Sequence, residues 1–113
     1  MVQMTMQVPE ELAERIQAMS AWVPVIIELG LVRFKTKASA TEAEVIEFLS
    51  KNPSPEDVLD YHVSERAQAR LRRLLSLNEA GLLSEREQLE LDELQRLEHV
   101  MVMLKARIAK EKQ

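Results

Sequence analysis

The sequence predicts a mainly α protein: one amino-terminal strand that pairs between two chains, then short helices, then a carboxy-terminal helical hairpin. Three observations carry this. Gln3, Thr5 and Gln7 alternate with Met4, Met6 and Val8 until Pro9, the two-residue period of a two-faced strand. Only 2 of 113 residues are glycine, and Leu, Ala, Glu and Arg are abundant, a composition that favours helix. Leu94, Leu97, Met101, Leu104 and Ile108 recur at spacings of three and four, the mark of a long amphipathic helix. No other stretch reads as a strand, and a lone ribbon leaves its backbone donors and acceptors unpaired. The expected partner of residues 2–8 is therefore the same segment of a second copy.

Each later element has its own local signal. Pro9 is expected at the first helical position, with Glu10 and Glu11 in the first turn, where the helix dipole favours negative charge. Leu12, Ile16 and Met19 then share one face. Ser20 to Val23 reads as a connection, and Pro24 opens a second helix through about Phe34. That helix is apolar nearly all round, at Val25, Ile26, Ile27, Leu29, Leu31 and Val32, and is expected to be buried between two subunits, with Gly30 allowing close helix packing. With Met4, Met6 and Val8 from the strand, Ile26 and Ile27 form the expected dimer core.

Lys35 to Ala40 reads as a linker, Thr41 as the cap of a short helix carrying Val45, Ile46, Phe48 and Leu49, and Ser54 with Pro55 and Asp57 as the start of a single turn. Ser64 caps a helix bearing Ala67, Leu71, Leu74 and Leu75, which Asn78 to Gly81 closes. Ser84 with Glu87 has the spacing of a capping box for the last helix, whose stripe Leu91, Val100 and Met103 widen. The chain divides on this reading into a dimerisation region over 1–38, a linker with short helices over 39–63 and a helical hairpin over 64–113.

A net charge of −4 argues against generic polyanion binding, so any contact with DNA must be local. The chain has no cysteine, which removes disulfides, thiolate zinc sites and thiol nucleophiles and fits a reducing compartment. The longest apolar run, Trp22 to Val32, is interrupted by Pro24, Glu28 and Gly30 and is too short to span a bilayer. No basic leader with a continuous apolar segment opens the chain, and the expected location is cytoplasmic.

The strand–helix–helix order of residues 2–35, with polar residues on one strand face, resembles the ribbon-helix-helix fold of bacterial repressors and antitoxins. In that family two strands form an antiparallel ribbon that enters the major groove. The resemblance implies that Gln3, Thr5 and Gln7 read base edges while Met4, Met6 and Val8 fasten the ribbon to the helices. Two departures stand against it. Ala21, Trp22, Val23 and Pro24 occupy the junction where the family anchors a phosphate on free amides, and no Lys or Arg precedes Arg15. The other reading of the same strand is a dimerisation element with a merely solvated outer face.

Val8-Pro9-Glu10-Glu11, Glu28-Leu29-Gly30-Leu31, Pro53-Ser54-Pro55-Glu56 and Asn78-Glu79-Ala80-Gly81, with Leu94 to His99 and a basic tail, are similar to a family of bacterial antitoxin-like proteins found beside PIN-domain nucleases. The resemblance implies the antitoxin of a type II toxin-antitoxin pair, its partner a metal-dependent nuclease with clustered carboxylates. Arginine suits such a site, and Arg66, Arg70 and Arg73, along one side of a helix, are the candidate partner-binding residues. Alternatively these arginines form a solvated flank paired with Glu87, Glu90 and Glu93 of the next helix. Lys105, Arg107, Lys110 and Lys112 likewise suit a helix carboxyl end.

Catalysis finds little support. Asp60, His62 and Ser64 lie too close in sequence for a nucleophile relay, and Ser64 is better used as a cap. His99 lacks a ligand at helical metal-motif offsets, and the acids from Glu85 to Glu98 read as a solvated face. No glycine-rich phosphate loop exists, and no cofactor, metal or small-molecule substrate is expected. A second reading of the whole chain is a noncatalytic helical assembly protein that binds no DNA.

Overall fold

The computed structural model describes residues 2–112 and is helical throughout its regular structure. Its elements are α1 (Glu10–Gln17), a 3₁₀ turn (Ser20–Trp22), α2 (Val23–Leu31), α3 (Ala38–Ser50), α4 (Pro55–Asp60), α5 (Glu65–Glu79) and α6 (Glu85–Glu111). Among the described residues there is no strand: residues 2–8 precede α1 without a ladder to any part of the chain. The helical class predicted from composition holds, and the amino-terminal segment has no partner within its own chain.

The 27-residue α6, about 40 Å long at 1.5 Å per residue, is the spine. Helices α2, α3, α4 and α5 all pack on it. Its carboxy-terminal half, from Leu97 to Ile108, closes the larger core with Val25 and Leu29 of α2, Val45 and Leu49 of α3, and Val58 of α4. Its amino-terminal part, Leu91 and Leu94, makes a smaller core with Leu74 of α5 and Ala38 of α3. Phe34, in the link between α2 and α3, packs against both. All three sequence regions thus contribute to the interior around one helix. The radius of gyration is 16.1 Å, above the ~13 Å expected for a compact chain of about 100 residues, because α6 and the amino-terminal segment extend the molecule to 50 Å.

Local signals place most boundaries. Ser54 and Asp57 exchange hydrogen bonds as a capping box, and so do Ser84 and Glu87. The Ser64 hydroxyl accepts the Ala67 amide at 3.2 Å. After α5, Gly81 adopts φ +70°, its N–H reaching Asn78 O at 3.0 Å while Leu82 N–H reaches Leu77 O at 2.9 Å. That is a Schellman ending, and its left-handed residue is a glycine for steric reasons.

Several expectations are corrected. Pro9, at ψ 148°, lies outside α1 as its N-cap residue and not as its first helical residue. Helix α2 stops at Leu31, three residues before Phe34, and Arg33 at φ 55° turns the chain. Thr41 does not cap α3, which begins at Ala38. The N-cap residue is Lys37, and buried Thr36 just before it accepts the Ala38 amide on its Oγ1 at 3.1 Å, so the supposed linker is partly helix. Within its own chain Gly30 makes no close packing, since nothing lies within 4 Å of where its Cβ would be. The inward side of α2 is covered by its own chain, where Val25 and Leu29 are buried, while Ile27 is 46% and Leu31 74% exposed. Met103 does not join the α6 stripe and stays 52% exposed.

Candidate interaction surfaces

The amino-terminal segment leaves both of its sequence faces in water. Gln3, Thr5 and Gln7 are exposed, and Val2, Met4 and Met6 are 91%, 84% and 60% exposed, with Val8 half-buried. Helix α1 has no buried residue, although Leu12 and Ile16 make it amphipathic. Of the predicted dimer-core residues, Ile26 packs half-buried against the protein's own core, whereas Met4, Met6 and Ile27 are uncovered. An apolar set this exposed is unusual for a finished surface. At the start of α2 the chain turns through Trp22, whose indole Nε1 donates to Pro53 O at 2.8 Å. That bond, with Trp22 buried, ties the amino-terminal unit to the loop before α4. In the sequence Trp22 falls within the expected connection from Ser20 to Val23. An aromatic with a polar tip two residues before Pro24 is the available clue.

On the hairpin the three predicted arginines separate in role. Arg70 is committed within the chain: its Nε donates to Glu90 Oε2 at 2.8 Å and its Nη2 to Glu90 Oε1 at 2.9 Å, a bidentate fork with a Glu90 side chain only 6% exposed. The hydrogen bonds that Arg70 donates to Glu90 raise its guanidinium above its ordinary value, against the opposing effect of burial. Arg66 is exposed and lines a shallow cleft with Lys37, Glu44 and Arg70, between the start of α3 and α5. Arg73 is exposed and contributes, with Arg70, to the field that helps hold Glu87 below the usual carboxylate range. The main cause of that depression is the hydrogen bond from the Ser84 amide in the capping box.

The acids of α6 are not all solvated, contrary to the sequence expectation: Glu90 and Glu93 are buried. Glu93 faces the α2–α3 link and accepts the Lys35 amide at 2.8 Å, the Thr36 amide at 3.1 Å and the Thr36 hydroxyl. Burial pushes its carboxyl upward, but the Thr36 hydroxyl, the two amides and nearby Arg96 outweigh that and leave it below the ordinary range. Glu42 of α3 shows the opposite balance. Desolvation, then the negative charge of Glu93, raises its carboxyl, and its Oε2 is a buried oxygen without a hydrogen-bond partner. Glu90 and Glu93 sit where the apolar stripe of α6 continues backward, Glu90 one turn before Leu94 and Glu93 one turn before Leu97, and the Arg70–Glu90 pair is one that the alternative reading of the arginine flank expects.

The residues weighed for catalysis are dispersed. Ser64 caps α5, and its hydroxyl donates to Glu44 at 3.0 Å, while Asp60, His62 and His99 are exposed. Of the basic tail, Lys105 donates to Tyr61 O at 2.7 Å and Lys112 pairs with Glu56 at 2.6 Å, so both fasten α6 to α4 and the segment after it. Among the described residues no group of His, Cys, Asp or Glu is arranged to hold a metal ion, and no helix is long and apolar enough to cross a membrane. Comparisons with protein-family models, curated proteins and solved structures find no match to this chain.

Proposed function

We propose that the protein is the antitoxin of a type II toxin-antitoxin pair, a homodimer joined by its amino-terminal ribbon that binds and inhibits a PIN-like nuclease and reads its own operator. The observation that carries the dimer is the uncovered segment 2–8. Its alternate residues Val2, Met4 and Met6 are apolar and exposed, and its backbone forms no ladder within the chain. Antiparallel pairing with the same segment would satisfy the backbone and bury one apolar face, leaving Gln3, Thr5 and Gln7 on the other for base edges.

The nuclease partner rests on the resemblance. Its motif residues hold structural positions here: Pro53 accepts the Trp22 indole, Ser54 caps α4 and Gly81 ends α5. They therefore support a shared scaffold more than a shared contact surface. Arg66 and Arg73, exposed on the hairpin, are the cations free to approach a carboxylate cluster, and Arg70 already has Glu90.

Co-expression with the adjacent reading frame tests the proposal. The expected result is relief of the neighbour's toxicity and a complex that survives purification. A neighbour without nuclease activity, or one that this protein neither binds nor silences, overturns it. The assembly reading is favoured by two specific observations: α2 begins Val23–Pro24, so an amide is missing where a phosphate would be anchored, and residues 2–14 contain no Lys or Arg. A mobility-shift assay separates the two. Sequence preference lost in Gln3→Ala/Thr5→Ala, with the dimer intact, supports the reader. A wild type without preference at low salt leaves assembly only.

A further inference from the structure

We propose that a second copy of the chain also covers the outer side of α2 and the adjoining strip of α6, so that the dimer interface includes the carboxy-terminal helix and is sealed by reciprocal Glu28–Arg107 pairs. The inference rests on the homodimer reading only for the identity of the occupant. Ile27, Glu28 and Leu31 fall on one side of α2 by helical spacing, with Ile27 46% and Leu31 74% exposed. His99, Met103 and Arg107 follow one another at four-residue steps along α6. Glu28 and these three residues line one cleft of about 250 Å³, which joins the two helices into a continuous surface. Met103, at 52% exposure, is its apolar centre on the α6 side.

The charges identify the occupant. A two-fold interface brings one patch against itself, so every group must find its complement elsewhere on the same patch. This cleft carries an anion, Glu28, and a cation, Arg107, both exposed, and neither forms an ion pair among the described residues. Across a two-fold axis Glu28 can meet Arg107 of the partner subunit, and Arg107 can meet Glu28 of the partner subunit, around a floor of Ile27, Leu31 and Met103. A patch shaped for an unrelated basic or acidic protein would carry one dominant sign. This one is its own complement.

Mixing two single variants tests the arrangement. In Glu28→Arg the introduced cation faces Arg107 of the partner subunit, and in Arg107→Glu the introduced anion faces Glu28 of the partner subunit. Each variant alone should dimerise at least about tenfold more weakly than wild type in sedimentation equilibrium. Mixed in equal amounts, they should form a dimer containing one of each, seen by native mass spectrometry, with near-wild-type affinity. Pairing within one chain predicts no gain on mixing, because each chain still holds its own like charges. A dimeric wild type whose single variants dimerise normally, or whose mixture shows no recovery, overturns this inference. The ribbon then stands if Met4→Asp/Met6→Asp dissolves the dimer. Intact dimers of Met4→Asp/Met6→Asp combined with recovery on mixing would remove the ribbon and retain this interface. A wild type monomeric at high concentration removes both.

Discussion

The carboxylate of Glu93, in the amino-terminal third of α6, accepts the backbone N–H of Thr36 across 57 residues of sequence, at 3.1 Å. The same carboxylate takes the Lys35 amide and the Thr36 hydroxyl, and Thr36 in turn starts α3 by accepting the Ala38 amide. One anion thus satisfies backbone donors that the α2–α3 link cannot satisfy itself, and it fixes where α3 begins relative to the spine.

Glu93→Gln removes the charge that strengthens these bonds and should cost about 2 kcal/mol, while Thr36→Val should cost about 1–2 kcal/mol. Because both act in one network, the double variant should lose clearly less than the sum. Urea unfolding at fixed protein concentration measures all three. Strict additivity would show that the two residues stabilise the fold independently.

Acid should reveal two carboxyls of opposite sign. Glu93 is held below its ordinary 4.5, so its contribution is fully present above that value and disappears as pH falls through the lower folded value. Glu42 is raised above 4.5, so its charged form weakens the fold near neutrality and protonation relieves the strain as pH falls through the raised value. Glu93→Gln should therefore flatten the loss of stability below pH 4.5, whereas Glu42→Gln should raise Tm near pH 7 and converge with wild type in acid. Thermal melts between about pH 7 and about pH 3 decide it; a Glu42→Gln gain persisting undiminished at the acid end contradicts the assignment.

What was legible in the sequence was local. Ser54 with Asp57, Ser84 with Glu87, and Gly81 signal helix ends through groups three or four residues apart, and the stripe from Leu94 to Ile108 is read by counting. The long-range bonds were not. Nothing near Trp22 shows that its indole reaches Pro53, and Glu93 looks solvated in an acidic helix until the Thr36 that meets it has been placed, whereas the Arg70–Glu90 pair is legible from the facing flanks of two consecutive helices. Thr41 reads as a cap because it precedes an apolar run, but with buried Thr36 accepting the Ala38 amide the helix begins four residues before the start that a cap at Thr41 implies. The partner-binding surfaces are the least legible part, since exposure of Met4 or Arg66 identifies a free group and not what it meets.

Trp22→Phe keeps most of the buried ring and deletes the donor to Pro53 O, so it should cost about 1–2 kcal/mol. Trp22→Ala also empties a site in the larger core and should cost about 3–5 kcal/mol. Denaturant melts rank the pair. A Phe variant as damaging as the Ala variant would mean that the indole N–H, and not the ring, holds the amino-terminal unit in place.

The Arg70–Glu90 fork separates structure from recognition on the hairpin. Removing Arg70 strands a Glu90 carboxylate whose side chain is only 6% exposed, so Arg70→Ala should cost about 2 kcal/mol, under the ~3–5 kcal/mol of a fully buried pair because Arg70 itself is 35% exposed. Arg70→Met/Glu90→Leu, which removes both charges and keeps the volume, should recover most of that loss. Arg66→Glu, in contrast, reverses an exposed charge and should change stability by less than about 0.5 kcal/mol. If the hairpin meets a carboxylate cluster, Arg66→Glu should weaken inhibition of the nuclease while the charge-free Arg70/Glu90 variant still inhibits. The reverse pattern, with inhibition lost in Arg70→Met/Glu90→Leu at full stability, would mean that the fork opens and Arg70 exchanges Glu90 for the partner.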